Sequence, residues 1–244
     1  MDVIDILGLK NNEFIILTGN LTKYIMKNNR DKNSINILLN EFIKNNKTIA
    51  IQTFNWDFCK NKEYDILQSP SQTGILGNYA LKNSKFRRTK HPIYSFAVSG
   101  EYQEYLISID NRGAFDENSI FNFMYENNGV MIIIDLPLQD SFTFVHYVEE
   151  KFQVPYRYNK VFKSLYVDEN GYSSIKEYDM YVRREGVITD INPLEDIFLK
   201  NHIMQLINFN GIIIKKIILK KAFRAIENDI IYNKGYSLHK FINP

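Results

Sequence analysis

The sequence predicts a layered α/β/α fold with a largely parallel central sheet and an appended antiparallel hairpin region. Three short apolar runs, "EFIILTG" (13–19), "TIAIQTFNW" (48–56) and "VMIII" (130–134), lack the polar alternation of half-exposed strands. Such runs are typical of strands that are covered on both faces. Segments with apolar residues at helical spacing lie between them, and this alternation favours helices packed on both sides of one sheet.

The first half of the chain supplies most of these elements. After the first run, residues 20–29 are interpreted as a loop, and "SINILLNEFIKNNK" (34–47) is interpreted as a helix, because its apolar residues recur every three or four positions. The later elements are predicted in the order helix "TGILGNYALK" (73–82), strand "IYSFAVSG" (93–100) and helix "SIFNFMYENN" (119–128).

The pattern changes after residue 155. Residues 160–186 alternate Tyr, Val and Phe with polar residues around the turn signal "DENG", which predicts an antiparallel hairpin. "PLEDIFLKNHIMQLI" (193–207) is predicted to be a helix with Pro193 in its first turn, and "KKAFRAIENDIIY" (220–232) a final helix. "GIIIKKIIL" (211–219) is either a core strand or a strand that pairs with a second copy in a homodimer.

Length and composition indicate a single folded domain over residues 1–244. The chain is long enough for one large core, and it has no Pro/Gly/Ser-rich linker. Its 30 basic and 28 acidic side chains leave a net charge of +2, so a nucleic-acid partner is not expected. With Cys59 as the single cysteine, neither an intrachain disulfide nor a thiolate metal cluster can form.

The compartment is predicted from the same features. The acidic start "MDVIDILGLKNNE" is unlike a signal peptide, and no segment reaches the 18 or so uninterrupted apolar residues that a membrane span needs. Together with the lone cysteine, these features predict a cytoplasmic protein without membrane insertion.

Several common chemistries lack their signatures. The sequence contains no G-x-G-x-x-G after the first strand, no G-x-x-x-x-G-K-[ST] and no G-x-S-x-G. Its four histidines are scattered without metal-ligand spacing, so no metal site is expected. Cys59 is either an acyl-accepting thiolate or a small buried side chain. The basic clusters at 85–90 and 215–221 are either solvated faces or sites for a phosphorylated ligand.

A first candidate site lies within residues 69–96, where hydroxyl groups, a doubled arginine and a histidine occur together. Pro92 keeps His91 out of the α region, which places that histidine on an extended loop before a strand. Ligands dock at strand ends in α/β sheets, and Arg87 or Arg88 there can clamp a phosphate. The alternative is that "HP" only ends a loop.

A second candidate is "SFTFVHYVEE" (141–150), which follows the third apolar run. With Ser141 as the N-cap, Thr143, His146 and Glu149 share one helical face at i, i+3 steps. A histidine where a sheet ends and a helix begins can act as a general base, and a nearby carboxylate can fix its tautomer. The alternative is a histidine that only packs on an amphipathic helix.

The two candidates, in this order and separation, resemble the aminoglycoside 3-N-acetyltransferase family. The resemblance rests on "FNWDF" after the "TIAIQT" strand, on "SPSQTGILGNY", on "RRTKHPIYSFAVSG" and on "TFVHYVEE" downstream of "VMIII". Weaker similarity extends from about residue 13 to about residue 235. The resemblance implies an enzyme that moves an acetyl or other short acyl group from acetyl-CoA, or another acyl-CoA, to the amino group of a sugar.

The resemblance also implies roles for individual residues. The family's T-x-x-H-x-x-E segment matches Thr143, His146 and Glu149, so His146 is the implied general base and Glu149 its catalytic partner. The implied contacts to the coenzyme come from Asn20, Thr53, Arg88, His91, Ser95 and Thr143. Those to the substrate come from Asp57, Ser71 and Thr73.

The chain departs from the family pattern at several positions. Gly19 and Asn20 replace a serine pair after the first strand, Gln52 replaces a proline, and Thr89 replaces the serine after Arg88. The chain lacks a conspicuously acidic composition, which favours an amino sugar of polysaccharide synthesis, including a nucleotide-linked one, over a polycationic antibiotic. The alternatives are a catalytically degenerate protein that binds coenzyme A or a sugar nucleotide, and an O-acyltransferase.

Overall fold

A computed structural model describes residues 3–9 and 14–242. The strands along the chain are β1 (Phe14–Gly19), β2 (Thr48–Gln52), β3 (Tyr64–Asp65), β4 (Arg87–Arg88), β5 (Phe96–Gly100), β6 (Val130–Ile134), β7 (Arg157–Val167), β8 (Ser173–Arg183), β9 (Val187–Thr189), β10 (Met204–Phe209), β11 (Ile212–Ile218) and β12 (His239–Phe241). The α-helices are α1 (Val3–Leu7), α2 (Thr22–Lys27), α3 (Asn33–Asn45), α4 (Ile75–Lys82), α5 (Gln103–Ser108), α6 (Ile120–Glu126), α7 (Phe144–Lys151), α8 (Pro193–Lys200) and α9 (Leu219–Asn233).

A seven-stranded sheet forms the centre of the fold, in the order β10-β11-β6-β1-β2-β5-β4. The three central strands, β6, β1 and β2, are parallel, and the strands that flank them on both sides are antiparallel. The carboxyl ends of β1, β2 and β6 therefore meet at one edge of the sheet. The predicted α/β class with a parallel centre is confirmed.

Both faces of the sheet are buried, which explains the uninterrupted apolar runs. Along β1, Phe14 and Ile16 pack into one hydrophobic core, and Ile15 and Leu17 pack into the other. The first core is completed by α5 through α9 and the second by α1, α3 and α4. Alternate side chains of one strand thus enter opposite hydrophobic layers. Both the odd-numbered and the even-numbered positions are therefore apolar, and no polar alternation appears in the sequence.

The predicted hairpin is present as β7 and β8, which pair along their whole length. The short strand β3 extends the pair into a three-stranded sheet. A separate two-stranded sheet is formed by β9 and β12, and it brings the end of the described chain back beside residues 187–189. These two small sheets lie outside the central one and supply residues to the site described below.

Two segments differ from the sequence-based interpretation. The predicted loop at 20–29 contains helix α2, which has no buried residue and therefore gives no helical pattern of apolar positions. The predicted helix at 193–207 ends at Lys200, and residues 204–209 form β10 instead. His202 adopts a positive φ of 53°, which an α-helix cannot contain, and pairing with β11 then holds the following residues extended.

Strand β11 occupies an inner position between β10 and β6. Its hydrogen-bonding edges are both used within the chain, which supports the core-strand interpretation of residues 211–219. A homodimer stays a prediction. No helix among the described residues is long and apolar enough to cross a membrane.

The burial of α3 provides a test of the packing. Leu39 is fully buried in this helix, whereas Ile37 in the same helix is 53% exposed. We expect Leu39→Ala to lower the free energy of unfolding by about 3–5 kcal/mol, because it leaves a cavity beside the sheet. Ile37→Ala, the matched control, is expected to change it by less than about 0.5 kcal/mol. Equal effects of the two substitutions in urea denaturation would contradict this placement of α3.

Candidate active site

Helix α7 begins after a short 3-10 helix, Leu138–Asp140, that follows β6. The predicted N-cap, Ser141, is wrong, because this residue closes the 3-10 helix and its hydroxyl donates to the Pro137 carbonyl oxygen at 2.7 Å. Thr143 occupies the cap position without a side-chain hydrogen bond. The hydroxyl of Thr143 is therefore available at the start of the helix.

His146 and Glu149 are in direct contact on α7. The His146 Nδ1 lies 2.6 Å from Glu149 Oε2, and the histidine side chain is 19% exposed, whereas the glutamate is fully buried. A carboxylate at Nδ1 favours the tautomer in which Nδ1–H donates, which leaves a lone pair on Nε2. No described residue bonds to Nε2. The arrangement gives the ring one anchored nitrogen and one available nitrogen.

Arg157, the first residue of β7, completes this group. Its Nε lies 2.6 Å from the same Glu149 oxygen. Its Nη2 donates to Thr189 Oγ1 at 2.7 Å and its Nη1 to the Tyr181 carbonyl oxygen at 3.3 Å. The buried carboxylate is thus paired with a guanidinium that β8 and β9 hold in place.

The electrostatics favour a neutral imidazole. Burial lowers the pKa of His146 below its usual 6.5, and the Arg157 charge lowers it further, while Glu149 opposes both. The ring is then unprotonated near neutral pH. An imidazole with a lone pair on an accessible nitrogen can accept a proton from a substrate.

A second polar group surrounds Arg88 and is internal. Its Nε donates to Ser95 Oγ at 3.0 Å, and its two Nη groups donate to the carbonyl oxygens of Ser69 and Thr53. The guanidinium also lies 5.0 Å from the centre of the Tyr64 ring. Because these donors are occupied by the protein, the guanidinium braces the loops, and its contact with a coenzyme phosphate stays a prediction.

Thr53, Ser95 and His91 are likewise buried. The hydroxyls of Thr53 and Ser95 lie 3.0 Å apart. His91 accepts a hydrogen bond from the Tyr94 amide at Nδ1, and its ring contacts those of Tyr94 and Tyr178. Burial lowers the pKa of His91 to about 4. These three residues shape the loop before β5, and a direct contact with a coenzyme stays a prediction for each.

Ser71 and Thr73 lie at the carboxyl end of β2. Thr73 Oγ1 donates to the Gln52 carbonyl oxygen at 2.8 Å and lies 2.8 Å from Ser71 Oγ. Gly77 of α4 packs so closely here that a Cβ would lie 2.6 Å from the same carbonyl oxygen. The Gln52 side chain reaches Ser141, with Nε2 donating to the carbonyl oxygen at 3.3 Å. This bond ties the end of β2 to the segment that leads into α7.

Asn20 and Asp57 take no part in the hydrogen bond between Gln52 and Ser141. Asn20 is exposed at the carboxyl end of β1, where its Oδ1 accepts from the Thr22 amide at 3.0 Å. At Gly19, an added Cβ would lie 2.6 Å from Ile134 Cβ, so this position has no room for a serine. Asp57 faces Lys60 and Lys62. Burial acts to raise the pKa of Asp57, but a hydrogen bond with Gln72 and the charges of Lys62 and Lys60 together hold it below the usual value.

The structure thus brings His146 and Glu149 together and adds Arg157, which the sequence analysis missed. No local signal identifies Arg157, because its partners Glu149, Tyr181 and Thr189 are set by tertiary pairing.

Burial raises the pKa of the Cys59 thiol to about 11, which favours the interpretation of a small inert side chain. The described residues include no group of three or more His, Cys, Asp or Glu that could hold a metal ion.

The contrast between Arg87 and Arg88 provides a matched test. Arg88→Gln leaves buried carbonyl oxygens with fewer donors, so we expect it to lower the free energy of unfolding by at least about 2 kcal/mol. Arg87→Gln removes only an exposed ion pair with Glu104, and a change below about 0.5–1 kcal/mol is expected. Urea denaturation of both variants makes the comparison. A normally stable Arg88→Gln variant would show that the guanidinium does not brace the loops.

The buried His91 makes stability depend on pH. The unfolded state takes up a proton near pH 6.5, whereas the folded state does so only near pH 4. The stabilisation is present above pH 6.5 and is lost as the pH falls through about 4, by about 3 kcal/mol in all. His91→Gln should remove this contribution, so its unfolding free energy should fall less steeply than that of the wild type between pH 7 and 4. Parallel curves would contradict the assignment.

Comparisons with known proteins identify the family and the fold. A model of the family described as aminoglycoside 3-N-acetyltransferase matches residues 34–227. A search of curated proteins gave no match. Similar solved structures include AAC-VIa with sisomicin bound, which is 14% identical with a TM-score of 0.76 and covers 95% of each chain. AAC-IIIb in a binary complex with CoASH is 12% identical, with a TM-score of 0.75 and 91% of each chain covered.

A third similar structure is the YokD protein from Bacillus subtilis, which is 18% identical with a TM-score of 0.74 and covers 96% of this chain and 92% of that one. At such identities the structures show a common fold. The family model covers well over half of the described chain. The protein therefore belongs to the aminoglycoside 3-N-acetyltransferase family, which confirms the predicted resemblance and the predicted class of enzyme, a coenzyme A-dependent N-acetyltransferase.

Proposed function

We propose that this protein transfers the acetyl group of acetyl-CoA to the amino group of an amino sugar, with His146 as the general base. The observation that carries the proposal is the His146–Glu149 contact at Nδ1, which leaves Nε2 available on a partly exposed ring. The amine attacks the thioester carbonyl, and Nε2 takes the proton that the nitrogen must lose. The C–S bond then breaks, and the imidazolium returns this proton to the sulfur, so that coenzyme A leaves as the thiol.

The surroundings of His146 suit this role. A general base must be unprotonated before the reaction, and the lowered pKa of His146 meets that requirement. As the imidazole gains a proton during attack, Glu149 stabilises the new positive charge through Nδ1. Arg157 contacts the same Glu149 oxygen and orients the carboxylate, so Arg157 is a positioning residue rather than a catalytic one.

Acetyl-CoA is proposed to lie along the carboxyl ends of β1, β2 and β6. In α/β sheets this edge is where ligands bind. Asn20, which is exposed, and Thr73 and Thr143, which are partly exposed, are proposed to contact the coenzyme or the acceptor. The buried group of Arg88, Thr53, Ser95 and His91 holds the same loops from inside.

The acceptor is proposed to be an amino sugar, including the nucleotide-linked amino sugars of polysaccharide synthesis. AAC-VIa, one of the similar structures, has sisomicin bound, which supports an amino-sugar acceptor. A panel of aminoglycosides and nucleotide-linked amino sugars separates the two classes of acceptor. Mass spectrometry of the product after mild base treatment separates an amide from an ester.

The central test replaces His146. We expect His146→Gln to fold normally and to lower the rate of acetyl transfer by about 10²- to 10⁴-fold, because the attacking amine loses its base. The wild-type rate should fall on the acid side with an apparent pKa below 6.5. Release of the coenzyme A thiol measures the rate. His202→Asn, which removes an exposed histidine at a positive φ, is the matched control and should keep wild-type activity.

Wild-type rates in the His146→Gln variant, with an acceptor that the wild type acetylates, would remove this residue from the mechanism. Calorimetry with acetyl-CoA tests the donor separately. No detectable heat of binding by the wild type would favour a catalytically degenerate protein over an acetyltransferase.

A further inference from the structure

The lysines of the basic run at 215–221 differ in whether their ammonium groups contact other residues of the protein. The ammonium group of Lys215 is nearly buried, 3.3 Å from a Glu195 carboxylate oxygen. Lys216 donates to the Leu7 carbonyl oxygen at 2.9 Å, and the Lys220 ammonium lies 5.5 Å from the centre of the Tyr125 ring. Lys221 is exposed, and its side chain has no ion pair or hydrogen bond with a described residue. Lys221 thus makes no polar contact of the kind that the other three lysines make.

Lys221 lines a groove of about 490 Å³ between α8 and α9, a size within the usual range for a small-ligand site. The α9 side of the groove is a helical stripe at i, i+3, i+4, i+7, i+8, i+11 and i+12, formed by Lys221, Arg224, Ala225, Asn228, Asp229, Tyr232 and Asn233. Ala225 is the smallest of these residues and lies within the stripe. The stripe therefore has longer side chains on both sides of Ala225.

The charges that remain free in the groove are positive. Arg224, like Lys221, is exposed and forms no ion pair or hydrogen bond with a described residue. Asp229 is the acidic residue in the lining, and it is buried, with its carboxylate accepting from the Ser237 amide at 3.1 Å and from the Ser237 hydroxyl at 2.8 Å. Its carboxylate oxygens are thus bonded to Ser237. Neither Lys221 nor Arg224 forms an ion pair with this carboxylate.

The other lining residues suit a ligand with a flat ring. The Tyr232 side chain is 77% exposed at the rim. Ile197 and Ile203 provide apolar surface, and Asn201 and Asn228 provide amides that donate and accept hydrogen bonds. An exposed aromatic ring stacks on a nucleobase, while Lys and Arg bind phosphate oxygens.

We propose that the groove between α8 and α9 binds a nucleoside phosphate, with Lys221 and Arg224 on the phosphates and Tyr232 stacked on the base. None of the residues assigned to acetyl transfer lines this groove. The site is therefore separate from the donor and acceptor sites, and the proposal does not depend on the acetyl-transfer activity.

Calorimetry with ADP tests the proposal. Coenzyme A contains an adenosine diphosphate group, so it can compete for the groove as well as for the donor site, and substitutions in the groove are used instead to locate the bound ADP. We expect ADP binding by the wild type. The double variant Lys221→Gln/Arg224→Gln should weaken it about tenfold or more, because two charge-assisted contacts are lost. Tyr232→Ala should weaken ADP binding but leave any binding of inorganic phosphate unchanged.

The double variant Lys44→Gln/Lys82→Gln is the control, since it removes the same net charge from exposed residues elsewhere. It should bind ADP like the wild type. The substituted residues are exposed, and thermal unfolding checks that each variant folds. The proposal is overturned by any of three results: no ADP binding by the wild type, equal weakening in both double variants, or unchanged affinity in Lys221→Gln/Arg224→Gln.

Discussion

The buried carboxylate of Glu149 is the constraint on which the arrangement of the site depends. A carboxylate without exposure to water is destabilising by several kcal/mol unless a positive group and hydrogen bonds compensate it. Here Arg157 provides the charge, and His146 provides a donor. Arg157 is held in turn by Thr189 of β9. The orientation of the imidazole therefore depends on helix α7, on the β7–β8 hairpin and on the two-stranded sheet of β9 and β12.

The edge of the central sheet imposes a second constraint, which is steric. Gly19 and Gly77 lie where a side chain would collide with Ile134 and with the end of β2. The close approach of α4 to β2 brings the Ser71 and Thr73 hydroxyls to that strand end, and Gln52 then connects it to the segment before α7. Gln52, which stands where the family has proline, thus links the end of β2 to the segment before α7.

Helix α9 connects the two proposed sites. One of its faces packs against α7 through contacts such as those of Phe223 with Tyr147 and Phe152. Its other face carries the stripe that lines the groove with α8. The same helix therefore supports the histidine-bearing helix from behind and presents two free cations on its outer side. The two faces of α9 differ in character, since one packs through apolar side chains and the other carries exposed charge.

The sequence by itself determined the elements whose signal is local. Uninterrupted apolar runs identified β1, β2 and β6, helical spacing identified α3, α4, α6 and α9, and period-two alternation identified the hairpin. The i, i+3 spacing of His146 and Glu149 was sufficient to predict their contact, because a helix fixes that distance. Only the tertiary structure decided that Arg157 completes the pair and that Arg88 and His91 face the interior. It also decided that residues 204–209 form a strand. These outcomes depend on partners far away in the chain, and the burial, charge pairing and strand pairing they create leave no periodic pattern in the residues themselves.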